Sequence, residues 1–250
     1  MTTIRPKKAL GQHFLIDDSI AARIADTLAD YRGRPVLEVG PGTGVLTRHL
    51  LAAGHDLSVV EIDPASISFL RAHYPALEGR ILDEDFLQMD LRTRYPSDFM
   101  VIGNYPYYIS SQIFFKVLEE RDRVVCCSGM IQKEVAERLA ARPATRTAGI
   151  LSALIQPWYD VEYLFTVEPG VFNPPPKVKS AVIRMTRNNV SDAGCDERLL
   201  RRVVKTAFNQ RRKMMRGSLK PLFAQLDNEC GSDRSHAEFL AQPLLTKRPE

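Results

Sequence analysis

The chain has 250 residues and a mass of 28.2 kDa, which suits one large domain or one domain with a small appendage. Its apolar fraction of 44% and charged fraction of 26% exclude a wholly disordered, collagen-like or coiled-coil protein. No apolar run reaches the roughly 20 residues of a membrane span, and the N-terminus lacks the apolar core of a secretory signal. The four cysteines form neither a disulfide framework nor a CxxC metal pattern, so we expect a cytoplasmic protein without a metal.

The net charge of +4 is unevenly distributed along the chain. Between Glu197 and Lys220 there are nine basic residues and one acidic residue, so the remainder of the chain carries a net negative charge. This concentration of positive charge predicts that the C-terminal part binds a polyanion.

Short apolar runs alternate with segments of helical length in the first half of the chain. We expect strands at 36–39, 57–60, 81–82, 99–102 and 124–127 and helices at 20–28, 45–53, 64–73 and 109–119. Such alternation is typical of βαβ units in a mostly parallel sheet, and strands that are almost entirely apolar indicate that both sheet faces are covered.

The second half of the chain adds two strands and then changes character. Strands are expected at 158–165 and 178–185, and the prolines of 173–176 between them exclude a helix or a central strand there. Residues 188–196 are polar and suggest a linker, after which an apolar stripe from Leu199 predicts a helix with basic outer faces. We therefore expect a catalytic domain at 1–187 and a small basic helical domain at 188–250.

Gly40, Gly42 and Gly44 follow the first strand of this expected sheet and precede a helix. Glycine permits a tight turn and a close approach of backbone to ligand, so this segment is expected to bind a nucleotide-type cofactor. The spacing is GxGxG rather than GxGxxG, and no Lys-Ser/Thr follows, which disfavours dinucleotide and nucleoside triphosphate sites. The alternative interpretation is an ordinary tight turn between strand and helix.

Acidic residues close the next two strands. Glu61 lies 21 residues beyond Gly40, where a carboxylate can bind both hydroxyls of a ribose. Asp85 is expected at the end of the third strand, where it could accept a hydrogen bond from an adenine amine. Either residue could instead be a solvated surface carboxylate.

The segment Asn104-Tyr-Pro-Tyr107 closes the fourth strand. An aromatic amine is a weak nucleophile because its lone pair is delocalised into the ring. An asparagine oxygen and a neighbouring backbone carbonyl can accept both amine hydrogens and favour a pyramidal nitrogen, while Tyr107 stacks on the base. The alternative is an Asn-Pro turn with tyrosines in the core.

Two further features suit an enzyme that acts on a base of a nucleic acid. Phe172 precedes three prolines, which can hold a rigid aromatic ring against an unstacked base, although it could instead be a buried residue of a stiff connector. The cluster Arg211-Arg-Lys213 is expected to contact phosphates, its alternative being a solvated helix face. Arg5, Lys7 and Lys8 are expected to add a second contact.

Six motifs together resemble the small-subunit ribosomal RNA adenine dimethyltransferases of the kasugamycin-resistance type. The resemblance extends from about residue 7 to about residue 220 and is most specific in the first, fifth and sixth motifs. In chain order the motifs are Lys8-Ala-Leu-Gly-Gln-His-Phe-Leu15, Glu38–Gly44, Val60-Glu-Ile-Asp63, Asn104-Tyr-Pro-Tyr-Tyr-Ile-Ser110, Val171–Val182 and Phe208-Asn-Gln-Arg-Arg-Lys213.

The resemblance implies an α/β fold of the class I, Rossmann-like type that uses S-adenosylmethionine, with a small C-terminal helical domain. It implies two methyl groups placed on each of two adjacent adenosines near the 3′ end of small-subunit ribosomal RNA, in the assembling subunit. It also implies no membrane and no metal, and we expect a monomer.

The same resemblance assigns roles to residues of this chain. Cofactor contacts fall on Gln12, His13, Leu15, Gly40, Gly42, Glu61, Asp85 and Asn104. It assigns contact with the target base to Asn104, Tyr107 and Phe172, and the two aromatic residues would lie on either side of the base. RNA contacts fall on Arg211, Arg212, Lys213 and Arg216.

Two departures from the family pattern concern the pocket. Tyr105 stands where the family usually has an aliphatic residue, and His13 replaces the asparagine of many members. One alternative function is a large-subunit ribosomal RNA adenine methyltransferase of the macrolide-resistance type, which shares the catalytic motifs. Another is an inactive ribosome-assembly factor, which the intact acidic and Asn104 motifs argue against. A DNA adenine methyltransferase is disfavoured because no separate base-reading domain is evident.

Overall fold

The computed structural model describes residues 6–7, 11–143, 145–230 and 249, and for 227–230 only the backbone. The chain divides into two compact units, one formed by 1–137 and 158–188 and the other by 138–157 and 189–250. The expected boundary near 187 therefore omits one segment, since 138–157 groups with the C-terminal helices. Within the described residues, no helix is long and apolar enough to span a bilayer.

Nine strands and nine helices are present in the described part of the chain. The strands are β1 (Phe14–Leu15), β2 (Pro35–Val39), β3 (Asp56–Glu61), β4 (Ile81–Asp83), β5 (Phe99–Asn104), β6 (Val124–Gln132), β7 (Tyr159–Val167), β8 (Phe172–Asn173) and β9 (Ser180–Arg187). The helices are α1 (Asp18–Ala25), α2 (Val45–Ala52), α3 (Pro64–His73), α4 (Leu91–Arg94), α5 (Ser110–Glu119), α6 (Lys133–Leu139), α7 (Ile150–Ile155), α8 (Glu197–Asn209) and α9 (Met215–Cys230).

The first unit is built on a seven-stranded sheet in the order β4–β3–β2–β5–β6–β9–β7. Strand β9 runs antiparallel to both of its neighbours, and the pairs among β2 to β6 are parallel. The chain proceeds outward from β2 to β4 and then returns to β5 on the other side of β2. In open α/β sheets, this reversal creates a ligand-binding crevice at the carboxyl ends of the strands.

Both faces of the central strands are covered, as their composition predicts. Val36, Leu37, Glu38 and Val39 are buried in succession along β2. Because successive residues of a strand point to opposite faces, this run shows that neither face of β2 meets solvent.

Every strand expected from the sequence is present, with shifted ends. The largest difference is β6, which continues to Gln132 because it pairs with β9 along most of its length. Helix α3 has the predicted bounds. Helix α1 begins at Asp18, two residues before the expected start, because the side chain of Asp17 accepts hydrogen bonds from the backbone amides of Ser19 and Ile20.

Several elements were not predicted. Strands β1 and β8 form a separate two-stranded antiparallel sheet in which Phe14 pairs with Asn173 and Leu15 with Phe172. Helices α4, α6, α7 and α9 were also missed. Helix α9 contains Pro221, a residue that normally interrupts a helix and so conceals this one in the sequence.

The second unit has a small apolar core of its own. Helix α7 contacts α8, and α8 contacts α9. Ala207, Leu219 and Leu222 are buried there, and Val203 and Phe223 pack against them. Val203 and Ala207 of the apolar stripe that predicted α8 are thus used for helix packing, whereas Leu199 at its start is exposed.

Candidate active site

A cavity opens at the carboxyl ends of β2, β3, β4 and β5, where the sheet order reverses. It contains about 760 Å³ of empty space, part of which is open to solvent. Its walls include eight of the residues that the sequence assigned to the cofactor or the target base, namely Gln12, His13, Gly40, Gly42, Glu61, Asp85, Asn104 and Tyr107. The expected site residues of the first unit therefore converge, except for Leu15 and Phe172.

The glycine loop lies between β2 and α2 and borders this cavity. Gly42 has a φ of +56° and Gly44 a φ of +78°, backbone conformations that side chains rarely adopt. A Cβ at Gly42 would lie 2.8 Å from the ring of Phe14, so there is no space for a side chain at this position. The backbone of the loop can accordingly approach a ligand closely.

Glu61 is the last residue of β3 and is only 7% exposed. Its Oε1 accepts hydrogen bonds of 2.9 Å from the backbone amides of Ile62 and Asp63, and its Oε2 accepts one of 3.2 Å from Gly42. Burial raises the pKa of Glu61, and these hydrogen bonds oppose that rise. A carboxylate held this rigidly at the cavity wall is suited to accept hydrogen bonds from ligand hydroxyls.

Asp85 lies in the same cavity wall but two residues beyond the end of β4, which stops at Asp83. Its side chain is exposed, and its Oδ1 accepts a 2.9 Å hydrogen bond from the backbone amide of Leu87. The residue is therefore placed by a loop rather than by the strand itself.

Asn104 is the last residue of β5, and its side-chain amide has a defined orientation. Its Nδ2 donates a 3.1 Å hydrogen bond to the main-chain oxygen of His13. Because a carbonyl oxygen can only accept, this contact identifies the nitrogen end of the amide and leaves Oδ1 as the opposite, accepting end. Asn104 also lines a smaller adjoining cavity beneath the glycine loop, together with Leu15 and Glu38.

Tyr107 lies in the cavity wall beside His13, with their ring centroids 5.7 Å apart and their planes 25° from parallel. Its hydroxyl forms a short hydrogen bond with the hydroxyl of Ser180. Burial raises the pKa of Tyr107, so its phenol stays protonated near neutral pH and does not act as a base.

The N-terminal residues assigned to the cofactor are held by the protein itself. The Nε2 of Gln12 donates to Asp63, and the Nδ1 of His13 donates a 2.8 Å hydrogen bond to the carbonyl oxygen of Pro174. Leu15 is buried in β1. Arg5 and Lys8, expected to contact RNA, lie outside the described residues, as does part of the first motif. Lys7 is described, and its ammonium group pairs with Asp63.

Phe172 is not at the cavity wall. It is 3% exposed and packs in the apolar core of the first unit with Leu15 and Ile24. The expected sandwich of a base between Phe172 and Tyr107 is therefore not preformed, because the short β1–β8 sheet buries the phenylalanine.

Tyr105 is 1% exposed, and its hydroxyl donates a 2.8 Å hydrogen bond to the carbonyl oxygen of Ser128. Its ring meets Phe114 edge to face at 5.8 Å. The tyrosine that departs from the family pattern at this position thus packs mainly in the protein interior.

Glu38 had no assigned role, yet it is the most perturbed carboxyl group near the site. It is fully buried, and burial raises the pKa of its carboxyl to about 8 although Thr47 donates a 2.6 Å hydrogen bond to its Oε2. Asp63 was also missed. A signal for Asp63 existed in the sequence, since an aspartate directly before proline is typical of a helix start.

The basic residues assigned to RNA lie in the second unit, after the end of α8. Arg212, Lys213 and Arg216 are exposed. Arg211 is half-buried, its guanidinium donates to the carbonyl oxygen of Arg146, and it lies 5.9 Å from the ring centroid of Phe208. Three of these four residues are therefore presented to solvent.

Within the described part of the chain, no group of three or more His, Cys, Asp or Glu side chains is arranged to hold a metal ion.

The sequence matches known proteins along most of its length. A family model described as ribosomal RNA adenine dimethylase matches residues 4–234. The chain is 60% identical over 250 residues to "Ribosomal RNA small subunit methyltransferase A" of Parabacteroides distasonis, and the match covers all of this chain and 90% of that protein.

Two solved structures resemble this one. A dimethyladenosine transferase from Plasmodium falciparum matches with a TM-score of 0.76 and 23% identity, covering 94% of this chain and 93% of the other. The 23S rRNA methyltransferase ErmE matches with a TM-score of 0.65 and 30% identity, covering 83% and 84%. The fold is thus the class I, Rossmann-like methyltransferase fold expected from the sequence, and the chain belongs to the ribosomal RNA adenine dimethylase family.

Proposed function

We propose that this chain dimethylates the exocyclic amines of two adjacent adenosines near the 3′ end of small-subunit ribosomal RNA, with S-adenosylmethionine as methyl donor. Family membership over residues 4–234 supports the reaction class, and the name of the 60% identical relative supports the small subunit. The structural observation that carries the proposal is Asn104, whose amide nitrogen is committed to His13 at the cavity that Glu61 also borders.

The cavity has hydrogen-bond acceptors that suit an adenosine-containing cofactor. Glu61 presents a buried carboxylate for ribose hydroxyls, and Asp85 presents an acceptor for the adenine amine. Gly40 and Gly42 line the cavity and carry no side chain, so their backbone can contact the methionine part closely. S-adenosylmethionine supplies an activated methyl group bound to a sulfonium, and these residues bind and orient it.

The target amine is proposed to meet the accepting end of Asn104. One amine hydrogen is accepted by Oδ1 of Asn104 and the other by a nearby main-chain carbonyl, which favours a pyramidal nitrogen with an available lone pair. This arrangement stabilises the transition state more than the planar ground state of the amine. A protonated phenol at Tyr107 provides a stacking surface and no base.

The second aromatic surface expected from the sequence is Phe172, and it can contact the base only after a rearrangement. Phe172 is buried and belongs to the short β1–β8 sheet, so we propose that this pairing opens to free its side chain. We propose that Tyr107 binds the base first and that Phe172 closes on it after this opening.

RNA is proposed to bind the second unit through Arg211, Arg212, Lys213 and Arg216. The exposure of three of them and the excess of basic residues from 197 to 220 support phosphate contacts. A cytoplasmic location and a monomeric state stay predictions.

The deciding experiment is methyl transfer from labelled S-adenosylmethionine to small ribosomal subunits that lack the modification, followed by mapping of the labelled nucleosides. We expect dimethyladenosine at two adjacent positions near the 3′ end. Label in large-subunit RNA would favour the macrolide-resistance type instead, and an absence of label despite cofactor binding would favour an inactive assembly factor.

A further inference from the structure

The segment Gly11–Leu15, which we name the N-terminal strap, crosses the cavity wall and supplies the hydrogen-bond acceptor for Asn104. Its contact is the main-chain oxygen of His13, which lies 3.1 Å from Nδ2 of Asn104. A main-chain oxygen keeps its place only if the segment that carries it is fixed. The orientation of Asn104 therefore depends on what holds the strap.

One end of the strap is held by the short sheet. Leu15 pairs with Phe172, the amide of Ile16 donates a 2.9 Å hydrogen bond to the carbonyl oxygen of Val171, and the ring of His13 bonds to Pro174. If Phe172 must leave the core to meet a base, these contacts are the ones that open. The strap then needs a second anchor that stays in place.

Asp63 is that second anchor. Its Oδ1 accepts a 2.6 Å hydrogen bond from the ammonium group of Lys7, and its Oδ2 accepts one of 3.2 Å from the side-chain amide of Gln12. Lys7 and Gln12 are also tied to each other, since the amide of Lys7 donates to the side-chain oxygen of Gln12 at 2.8 Å. Both contacts to the N-terminal segment thus meet on one carboxylate.

This carboxylate is itself rigid and lies next to the cofactor wall. Asp63 is fully buried and caps α3, where it accepts hydrogen bonds from the amide of Ala65 and the hydroxyl of Ser66. Burial works against its ionisation, but the hydrogen bonds from Lys7 and Gln12 outweigh it and lower the pKa of Asp63. Its own amide donates to Glu61. One residue therefore connects α3, the ribose-binding carboxylate and the strap.

We propose that Asp63 is a positioning residue, which anchors the N-terminal strap so that the main-chain oxygen of His13 orients the amide of Asn104 toward the target amine. The proposal rests on the proposed function, in which Asn104 accepts a hydrogen bond from that amine. It assigns to Lys7 and Gln12 the task of holding the strap rather than contacting RNA or cofactor alone.

The test is Asp63→Asn. Asparagine caps a helix nearly as well as aspartate, so α3 is retained. However, its uncharged amide no longer pairs with Lys7, and its NH₂ group opposes the NH₂ of Gln12. We expect single-turnover transfer at saturating cofactor and RNA to fall on the order of tenfold to a hundredfold, the effect of a misplaced reacting geometry, with little change in KM for RNA. Asp90→Asn is the matched control, since Asp90 caps α4 without touching the strap.

Lys7→Gln is the second variant, because Lys7 is half exposed and its loss does not endanger folding. It removes the ion pair with Asp63 by changing Lys7 instead of Asp63. We expect the transfer rate to fall again, while the free energy of unfolding stays at the wild-type value. If both Asp63→Asn and Lys7→Gln transfer at the wild-type rate, the proposal is wrong.

A double variant separates positioning from a merely structural role. If Asp63 acts through Asn104, then Asp63→Asn combined with Asn104→Ala is no slower than Asn104→Ala alone, because the contact to be oriented is already gone. If the double variant is slower than Asn104→Ala by the factor that Asp63→Asn causes alone, the proposal is wrong. A wild-type rate for Asn104→Ala would instead overturn the proposed role of Asn104, and so the two failures are distinguishable.

Discussion

The ring of Tyr105 occupies the space that a side chain at residue 129 would need. A Cβ at Gly129 would lie 2.7 Å from Cε2 of Tyr105, and it would also collide with the carbonyl oxygen of Gly103. Gly129 has a φ of +151°, a conformation that other residues rarely adopt. The unusual tyrosine next to Asn104 thus lies against a glycine of the neighbouring strand β6.

Replacing Tyr105 tests how much its buried side chain contributes to the free energy of unfolding. Tyr105→Phe keeps the ring but leaves the buried carbonyl oxygen of Ser128 without the hydroxyl that donates to it, so we expect a loss of about 1 to 3 kcal/mol in the free energy of unfolding. Tyr105→Leu removes the same hydroxyl and also leaves a cavity beside Phe114, so we expect a larger loss of unfolding free energy than for Tyr105→Phe. Urea unfolding measures both. Equal stability of the Phe variant and the wild type would show that the hydroxyl contributes nothing.

Glu38 should make stability depend on pH. Its pKa is raised from 4.5 to about 8 in the folded protein, so between these values the folded state binds a proton that the unfolded state has released. Stability therefore decreases as pH rises through this window, at up to about 1.4 kcal/mol per pH unit from this one group. Glu38→Gln retains an acceptor for Thr47 and removes the titration, so it should gain stability relative to wild type from about pH 5 to pH 8.

The measurement for Glu38 is the difference in unfolding free energy between variant and wild type at pH 5, 6, 7 and 8. Every other titrating group is common to both proteins, which isolates this carboxyl group. Glu78→Gln serves as the control because it makes the same chemical change at an exposed position. A constant difference for Glu38→Gln would contradict a buried neutral carboxyl.

Glu61 should dominate cofactor affinity. Glu61→Gln keeps the size of the side chain but replaces one accepting oxygen with an NH₂ group that opposes the backbone amides around it. We expect S-adenosylmethionine to bind about tenfold to a hundredfold more weakly, about 1.5 to 3 kcal/mol, as calorimetry can measure. Unchanged affinity in a folded variant would remove Glu61 from the ribose site.

The sequence predicted those parts of the site that local chemistry determines. Glu61 and Asn104 close apolar strands, and parallel strands bring their carboxyl ends to one edge, so their proximity follows from the pattern. The burial of Phe172 was one of two alternatives that the sequence left open, because it depends on a pairing between residues 14–15 and 172–173, which are far apart in the chain. A local pattern contains no information about such a contact.

The same reason explains why the two compact units differ from the expected division near residue 187. Residues 138–157 begin inside α6, shortly after β6, and nothing in their composition separates them from these elements. Their helix α7 contacts α8, which begins about 40 residues later, and this tertiary contact assigns them to the second unit. Helix α9 was missed because Pro221 disfavours a helix locally, whereas Leu219 and Leu222 beside it are buried in the core of that unit.

The basic cluster should bind RNA through phosphates. Reversal of Arg211, Arg212 and Lys213 to glutamate should abolish binding to the small subunit and leave cofactor affinity unchanged. For wild type, the logarithm of affinity should fall steeply with the logarithm of salt concentration, and three lost contacts should reduce that slope by about 2 to 3 where residual binding is measurable. Reversal of Arg32, Arg34 and Arg71, which are exposed in the first unit, is the charge-matched control. A salt-independent wild-type affinity would place the RNA site elsewhere.

The last prediction concerns the reacting nitrogen. If Oδ1 of Asn104 accepts a hydrogen bond from the target amine, the contact strengthens in the transition state, when the nitrogen becomes pyramidal and positive. Asn104→Ala should therefore lower the transfer rate by about 10² or more, the scale of one preorganised polar group. RNA affinity should persist because most of it comes from phosphates, and cofactor affinity should change less than in Glu61→Gln.

Counting mono- and dimethyladenosine separately in single turnovers shows which of the two transfers depends on Asn104. A monomethylated amine has one hydrogen left and must rotate to present its lone pair, so the second transfer should respond differently from the first. Wild-type rates for both transfers would contradict the mechanism even though the family is established. A loss of RNA binding would instead show that Asn104 is a structural turn residue, since its amide nitrogen already holds the N-terminal strap through His13.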